Sequence, residues 1–266
     1  MRGQAQVRSQ AEAAIKARGA DVYAAFLLPH LRSDWTVLDC GCGEATITLG
    51  LAEAVLDGWV VGLDLDRDAL IAARRSAAAM GRGNVAFIAA EGGRLPFRDA
   101  TFDAVLCHSV LETVGDPANV VAELRRVTKR GGVVGAASVE YGGIILAGEQ
   151  TAGPRRFYDI RQQLWRAAAI AEPNIGRRLR GLFQAAGFDR VEAFADYISY
   201  GTPDRVKAFA YDRATECRDQ KFHAAVTRHG IASIEELLRL AAAWEEWSDD
   251  PGAFFAFAWC RLLAWR

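Results

Sequence analysis

The sequence has almost no excess charge of either sign and no long uninterrupted apolar run. Its 266 residues carry 32 lysines and arginines against 33 acids, a net charge of −1. This balance argues against a general nucleic-acid binder, which needs a basic surface for phosphate contacts. The longest apolar stretch is interrupted by Glu140, and the polar first twenty residues lack the apolar centre of a signal peptide. We therefore expect a cytoplasmic protein without a membrane span.

Cysteine and histidine are too sparse and too scattered for a metal site. The chain has five cysteines, an odd number, and only Cys40 and Cys42 stand close together. A structural zinc ion usually needs four ligands at short, characteristic spacings, and no second pair of Cys or His follows this one. The sequence thus predicts no bound metal and no disulfide framework.

Apolar runs alternate with helix-like segments through the first half of the chain. A short apolar run that ends in an acid or a turn is typical of a parallel strand buried on both faces. Strands separated by helices predict a parallel sheet covered by helices, and such sheets bind ligands at the carboxyl ends of their strands. The strand-like runs are residues 35–40, 58–66, 84–90, 101–109 and 131–139.

The alternation stops near residue 145, after which most of the chain has a helical pattern. Residues 190–200 alternate like a strand, and the aromatic last stretch is either a short helix or, as we prefer, a strand that gains an edge partner. We predict an α/β, Rossmann-like, doubly wound and mostly parallel seven-stranded sheet in one domain, with helical lid insertions over the strand carboxyl ends. The core is about 35–145, 182–200 and 251–266, and the lid segments are about 1–31, 146–181 and 203–249.

The stretch DCGCGEA after the first strand indicates a ligand-binding turn. Gly41 and Gly43 permit a tight bend and close approach of the backbone to a ligand. Asp64, at the end of the next strand, suits a carboxylate that accepts both hydroxyls of a ribose. The dinucleotide fingerprint is incomplete, because its third small residue would fall at Thr46. Asp39 would repel a pyrophosphate and suits a cationic group such as an amino group.

Four motifs occur in order along the first half of the chain. They are D-x-G-x-G-x-A from residue 39, V-G-L-D from 61, L-P-F-x-x-x-x-F-D from 95 and K-x-G-G from 129. Together they resemble the class I S-adenosylmethionine-dependent methyltransferases, and within them the small-molecule branch typified by the ubiquinone/menaquinone-biosynthesis methyltransferases. The resemblance extends over about residues 20–140, and beyond residue 145 only the segment 182–194 fits it.

The sequence departs from the family pattern at two positions. The third glycine of the family's first loop is Ala45, and the family's usual Asp after the third strand is Glu91, one methylene longer. The resemblance implies a site for S-adenosylmethionine, with S-adenosylhomocysteine as the product. The implied cofactor residues are Asp39 with Gly41, Cys42 and Gly43 for the amino-acid end, Asp64 for the ribose, and Leu65, Glu91, Gly92 and His108 around the adenine and the methyl group.

The acceptor site is less marked in the sequence. His108 ends the fourth strand, where it is a candidate general base, a polar contact or a packing residue. Glu140, Tyr141, Tyr158 and Trp165 are candidate acceptor contacts, although aromatic residues in helices more often belong to a core. We expect in-line methyl transfer to a small organic acceptor, such as a secondary metabolite or a quinone-like precursor.

Other functions remain open on the sequence alone. Residues 155–180 hold seven arginines and two acids, which leaves an RNA methyltransferase as one alternative. An NAD-dependent oxidoreductase and a non-catalytic cofactor-binding protein are the others, and Thr46 and Asp39 argue against NAD. The oligomeric state is open too, with a homodimer as one possibility.

Overall fold

The computed structural model describes residues 19–169 and 172–266, and its central feature is a seven-stranded sheet. The strands are β1 (Thr36–Cys40), β2 (Trp59–Asp64), β3 (Val85–Ala89), β4 (Phe102–His108), β5 (Thr128–Ala147), β6 (Arg190–Tyr200) and β7 (Phe254–Trp265). The described helices are α1 (Ala20–Tyr23), α2 (Thr48–Ala54), α3 (Arg67–Ala79), α4 (Pro117–Val127), α5 (Ala152–Ala167), α6 (Leu179–Ala185), α7 (Pro203–Cys217), α8 (Gln220–Arg228) and α9 (Ile234–Asp249). Of the predicted helical segment 1–31, residues 1–18 lie outside the described residues.

The strand order is β3-β2-β1-β4-β5-β7-β6, and the first five strands in this order pair in parallel. The β7 strand runs antiparallel to its neighbours β5 and β6. The Asp189 amide donates to the Trp265 carbonyl at 2.9 Å, and the Arg266 amide donates to the Gly132 carbonyl at 3.2 Å. The end of β7 therefore lies beside the beginnings of both β5 and β6. The predicted α/β, doubly wound, mostly parallel sheet is confirmed, including a strand at the end of the chain.

Helix caps fix the two loops that follow β2 and precede α4. The Asp66 carboxylate accepts hydrogen bonds from the amides of Asp68 and Ala69, which begins α3 directly after β2. Asp116 accepts from the Asn119 amide, and Pro117 at the first position of α4 needs no amide partner. Both caps therefore hold loops at the carboxyl ends of parallel strands, where a ligand is expected.

The chain divides into two compact units, which we call the sheet unit and the helical unit. The described part of the sheet unit is residues 19–139, 174–196 and 259–266, and that of the helical unit is 140–169, 172–173 and 197–258. In the sheet unit, buried aliphatic residues of β1, β4 and α4 form the core. In the helical unit, α9 packs against α7 and α5 around buried Trp244, Trp247 and Phe157. None of the described helices is long and apolar enough to cross a membrane.

Candidate cofactor site

The turn after β1 has the backbone conformation that its glycines predict. Gly41 and Gly43 have φ values of +82° and +51°, and Ala45 follows at +68°. A Cβ on Gly41 would lie 2.1 Å from Cγ2 of Val110, so no side chain fits there. A Cβ on Gly43 would meet nothing within 4 Å, so the turn faces open space at this residue. Ala45 occupies a left-handed conformation in which glycine, the family's usual residue, is less strained.

Asp64 joins the end of β2 to this turn. One carboxylate oxygen accepts the Gly43 amide at 2.8 Å, and the other accepts the Asp66 amide at 2.9 Å. A carboxylate has about four acceptor positions, so these two bonds leave positions for the hydroxyls of a ligand. Leu65, the next residue, is 70% exposed and offers an apolar surface beside Asp64.

Asp39 is buried beside the same turn and is only 2% exposed. The Thr48 hydroxyl donates to its carboxylate at 2.7 Å. Burial raises the pKa of Asp39 to about 6, the Thr48 hydrogen bond lowers it, and the charge of Asp64 raises it further. At neutral pH the carboxylate is therefore mostly ionised, and it places a negative charge next to the turn.

A cavity of about 430 Å³ opens at the carboxyl ends of β1, β2, β3 and β4. Of the nine predicted cofactor residues, five line it: Gly41, Asp64, Leu65, Glu91 and Gly92. The other four, Asp39, Cys42, Gly43 and His108, are not among its lining residues. The sequence motifs did not predict one wall of the cavity, which is formed by the loop between β4 and α4 and by the start of α4. The residues of this wall are Ser109, Val110, Thr113, Val114, Gly115, Asp116, Asn119 and Val120.

The L-P-F motif supports the loop that carries Glu91 and Gly92. On α4, Arg126 donates to the carbonyls of Leu95 and Phe97 at 3.0 and 2.8 Å, and Glu123 accepts the Leu95 amide at 2.8 Å. Hydrogen bonding to Arg126 also lowers the pKa of Glu123. The motif is thus fastened to Glu123 and Arg126 of α4, which are not themselves among the lining residues of the cavity.

A buried acid fastens the opposite wall. Glu112, 4% exposed, accepts the Ser138 hydroxyl at 2.7 Å and so ties the loop after β4 to β5. Burial raises the pKa of Glu112, whereas the hydrogen bonds from Ser138 and from backbone amides lower it. Ser109, in the same loop, has a φ of +56°, a conformation that a serine seldom adopts. The sequence signal for this arrangement is weak, a single acid between the apolar residues of the segment SVLETV.

Three cysteines lie close to the turn. Cys40 lines the cavity and is paired in register with Cys107 on the neighbouring strand. A hydrogen bond to the Cys40 thiol and burial both raise the pKa of Cys107, and burial also raises that of Cys42. The thiols of Cys42 and Cys107 are therefore protonated at neutral pH. Within the described ranges, no group of His, Cys, Asp and Glu side chains could hold a metal ion.

His108 packs among aromatic rings in the sheet unit. It is 6% exposed and stacks on Trp259 with ring centroids 4.6 Å apart, while the Tyr23 ring meets it edge-on at 5.3 Å. Arg261, also buried, pairs with Asp196 at 2.9 Å and donates to the Tyr23 carbonyl at 3.0 Å. The imidazole orientation is therefore fixed by packing.

The four candidate acceptor residues all belong to the helical unit, and Tyr141 contacts both Tyr158 and Trp165. The Tyr141 ring lies 4.8 Å from the Trp165 ring and 6.0 Å from the Tyr158 ring, measured between centroids. Tyr158 and Glu140 are buried, whereas Trp165 is half-buried. The sequence did not place Arg161 among the candidate site residues, yet its guanidinium lies 5.1 Å over the Trp165 ring.

Comparison with known proteins identifies the family. The family model described as "Methyltransferase domain" matches residues 31–168, just over half of the chain. The chain belongs to this family. It is a class I S-adenosylmethionine-dependent methyltransferase, and the resemblance found in its four motifs is confirmed.

Relatives of this methyltransferase are found among curated proteins and solved structures. An uncharacterized methyltransferase of Schizosaccharomyces pombe is 34% identical over 257 residues, 90% of this chain and 87% of its own length. A demethylmenaquinone methyltransferase of Geobacillus kaustophilus is 41% identical over 97 residues, 36% of this chain and 42% of its own. The crystal structure of the YcgJ protein from Bacillus subtilis shares the fold, with a TM-score of 0.61 and 16% identity over 91% of this chain and 97% of its own.

Proposed function

We propose that the sheet unit binds S-adenosylmethionine in the cavity at the turn after β1, and that the enzyme methylates a small organic acceptor. The observation that carries this proposal is the joining of Asp64 to Gly43, which sets a carboxylate beside an open backbone turn. The same cavity wall includes Leu65 and Glu91, which come from the ends of two neighbouring strands.

The chemistry of these residues fits the cofactor. The charge of Asp39 suits the cofactor's cationic amino-acid end, acting next to the turn of Gly41 and Gly43. The open acceptor positions of Asp64 suit a ribose diol. The exposed Leu65 offers an apolar surface for adenine, and Glu91 offers an acceptor for its exocyclic amine. Charge-assisted hydrogen bonds of this kind each contribute about 1.5–3 kcal/mol.

When bound, the cofactor supplies an electrophilic methyl group on a sulfonium. The work left to the protein is to hold both partners in line and to exclude water, which accounts for much of the acceleration in transfers of this type. We assign the positioning of the cofactor to Asp39, Asp64 and the glycine turn. His108 remains our candidate for a base or a polar contact near the methyl group, and its stacking on Trp259 supports a fixed orientation.

The partners of three arginines within residues 155–180 favour a small acceptor over RNA. Arg156 pairs with Glu236 at 2.7 Å, Arg161 pairs with Glu216 at 2.9 Å, and Arg155 donates to the Leu146 carbonyl at 3.1 Å. These three guanidinium groups are engaged within the helical unit, which reduces the basic surface available for phosphate contacts, whereas Arg166, Arg177, Arg178 and Arg180 are exposed. The aromatic contacts of Tyr141 with Tyr158 and Trp165 support an organic ligand there.

Calorimetry tests the cofactor half of this proposal. We expect wild-type protein to bind S-adenosylhomocysteine and not NAD, and tight NAD binding would contradict the proposal. For the acceptor half, RNA binding is measured as a function of salt. Phosphate contacts make affinity fall steeply with salt, so tight and strongly salt-dependent RNA binding would favour an RNA methyltransferase instead.

A further inference from the structure

Within the described part of the chain, four buried hydrogen-bond donors of the helical unit have no acceptor: the Trp244 indole nitrogen, the Tyr158 hydroxyl and the Nε groups of Arg161 and Arg213. The last three interact with one another through their charges. The two Nε groups can only donate. Nearly all buried polar groups in folded proteins have a partner, so unpaired donors of this kind call for a specific explanation.

The tyrosine and arginine donors belong to one cluster. Arg161 on α5 and Arg213 on α7 both bind the same Glu216 carboxylate oxygen, at 2.9 and 3.2 Å. The charges of both arginines act on the Tyr158 hydroxyl and lower its pKa, although burial raises that pKa more strongly. Asp212 is the other acid whose charge acts on Arg213. Two guanidinium groups thus share one carboxylate through their terminal nitrogens, and neither Nε–H has an acceptor among the residues that the structure describes.

Aromatic rings surround the cluster. The Arg161 guanidinium lies 5.1 Å over the Trp165 ring, and that of Arg213 lies 5.4 Å over the Phe209 ring. Tyr141 contacts both Trp165 and Tyr158. Stacked rings hold the two guanidinium planes in place and exclude water from their faces, so an acceptor group that reaches the Nε–H groups meets preorganised donors.

We propose that Tyr158, Arg161 and Arg213, which we call the arginine–tyrosine cluster, bind the carboxylate of an aromatic acid. A carboxylate has two oxygens and about four acceptor positions, enough for two Nε–H groups and one phenol. A single negative charge suits two arginines already shared with Glu216 better than a phosphate dianion does. The role of this acid rests on the proposed function, in which the aromatic acid is the methyl acceptor.

The test uses matched acids and amides without cofactor. Benzoate, 1-naphthoate and their two amides are titrated into the full-length protein by calorimetry. We expect each acid to bind at least about tenfold more tightly than its amide, because only the acid offers charged acceptors to the cluster. We also expect 1-naphthoate to bind more tightly than benzoate, because it buries more apolar surface beside the rings.

Two variants separate binding from folding. Tyr158→Phe removes a hydroxyl that has no partner among the described residues, so the melting temperature should stay unchanged or rise while affinity for the acids falls about five- to tenfold. Arg213→Lys keeps the positive charge beside Glu216 and removes the Nε–H, with a similar loss of affinity expected. Tyr211→Phe, also on α7, is the matched control and should change neither quantity.

Equal binding of acids and amides, or no binding of either acid at millimolar concentration, would overturn the inference. So would a Tyr158→Phe variant that melts earlier and binds the acids as wild type does, since the hydroxyl would then be structural. Failure of the proposed function looks different. A protein that binds the acids but not S-adenosylhomocysteine contradicts the cofactor assignment alone, and the reverse result contradicts the arginine–tyrosine cluster alone.

Discussion

At the scale of single residues, the two carboxylates beside the glycine turn differ in burial and therefore in what they contribute. Asp64 is half-buried and lines the cavity with two backbone amides bound to it. Asp39 is enclosed and has Thr48 as its side-chain partner. Asp64 can contact a ligand directly. Asp39 acts mainly through its charge, and burying that charge lowers the free energy of unfolding.

Replacing Asp64 by alanine should weaken the binding of S-adenosylhomocysteine by about 30- to 150-fold. Losing a carboxylate that accepts two hydroxyls removes roughly 2–3 kcal/mol. Calorimetry measures the change, and Asp68→Asn, an exposed acid in the first turn of α3, serves as the control. An unchanged dissociation constant would remove Asp64 from the ribose site.

Replacing Asp39 by asparagine should stabilise the free protein at neutral pH and weaken cofactor binding. The folded pKa of about 6 lies above the ordinary value of 3.8, so the ionised carboxylate lowers the free energy of unfolding as pH rises from about 4 to 6. A difference of this size corresponds to roughly 3 kcal/mol at pH 7, and it disappears below about pH 4. Thermal melts of both proteins across this pH range measure it. A stability difference that does not depend on pH would contradict a buried, ionised Asp39.

At the scale of helices and strands, α4 supports one side of the proposed cofactor cavity through Asn119, Glu123 and, with the most contacts, Arg126. Arg126 reaches the carbonyls of Leu95 and Phe97 and the carboxylates of Asp99 and Glu123, so it fastens the loop that follows Glu91. The neighbouring Arg125 has a different partner, the Gly187 carbonyl. Of these two adjacent arginines, Arg126 therefore holds the loop that follows Glu91, whereas Arg125 holds a different part of the sheet unit.

Replacing Arg126 by alanine should therefore affect both folding and binding, and Arg125→Ala should affect folding alone. Arg126→Ala leaves part-buried carbonyls without a donor and should lower the free energy of unfolding by about 2–4 kcal/mol. We also expect S-adenosylhomocysteine to bind several-fold more weakly to it. Denaturant melts and calorimetry on the two variants measure these effects. Equal cofactor affinity in both would show that the L-P-F loop does not shape the cavity.

The sequence predicts most of the sheet because its parallel strands are buried on both faces and so appear as apolar runs. The turn at Gly41 and Gly43 is local, and a short motif is enough to predict it. The tie between Glu112 and Ser138 joins residues 26 apart in the chain, and the pairing of Arg161 with Glu216 joins residues 55 apart. Such contacts depend on how helices and strands pack, which single-residue patterns do not contain.

At the scale of the whole molecule, cofactor binding should stabilise the sheet unit by mass action. S-adenosylhomocysteine at about 100 times its dissociation constant adds roughly 2.7 kcal/mol to the free energy of unfolding of the unit that binds it. Hydrogen exchange measured by mass spectrometry should show the strongest protection at residues 39–45, 64–66, 91–93 and 109–116. Protection confined to residues 203–249 would place the cofactor in the helical unit and contradict the proposed site.

The buried thiols next to the glycine turn allow the opening of the folded protein to be measured with a thiol reagent. Cys40, Cys42, Cys107 and Cys217 are buried, and only Cys260 is partly exposed. The raised pKa values of Cys42, Cys107 and Cys217 keep these thiols protonated and slow to react while the chain is folded. A thiol reagent should therefore label Cys260 first, and it should label Cys42, Cys107 and Cys217 at the rate at which the protein unfolds. Because Cys40 lies on the cavity wall, its labelling rate should fall as cofactor is added, which gives a readout of occupancy that requires neither an acceptor nor turnover.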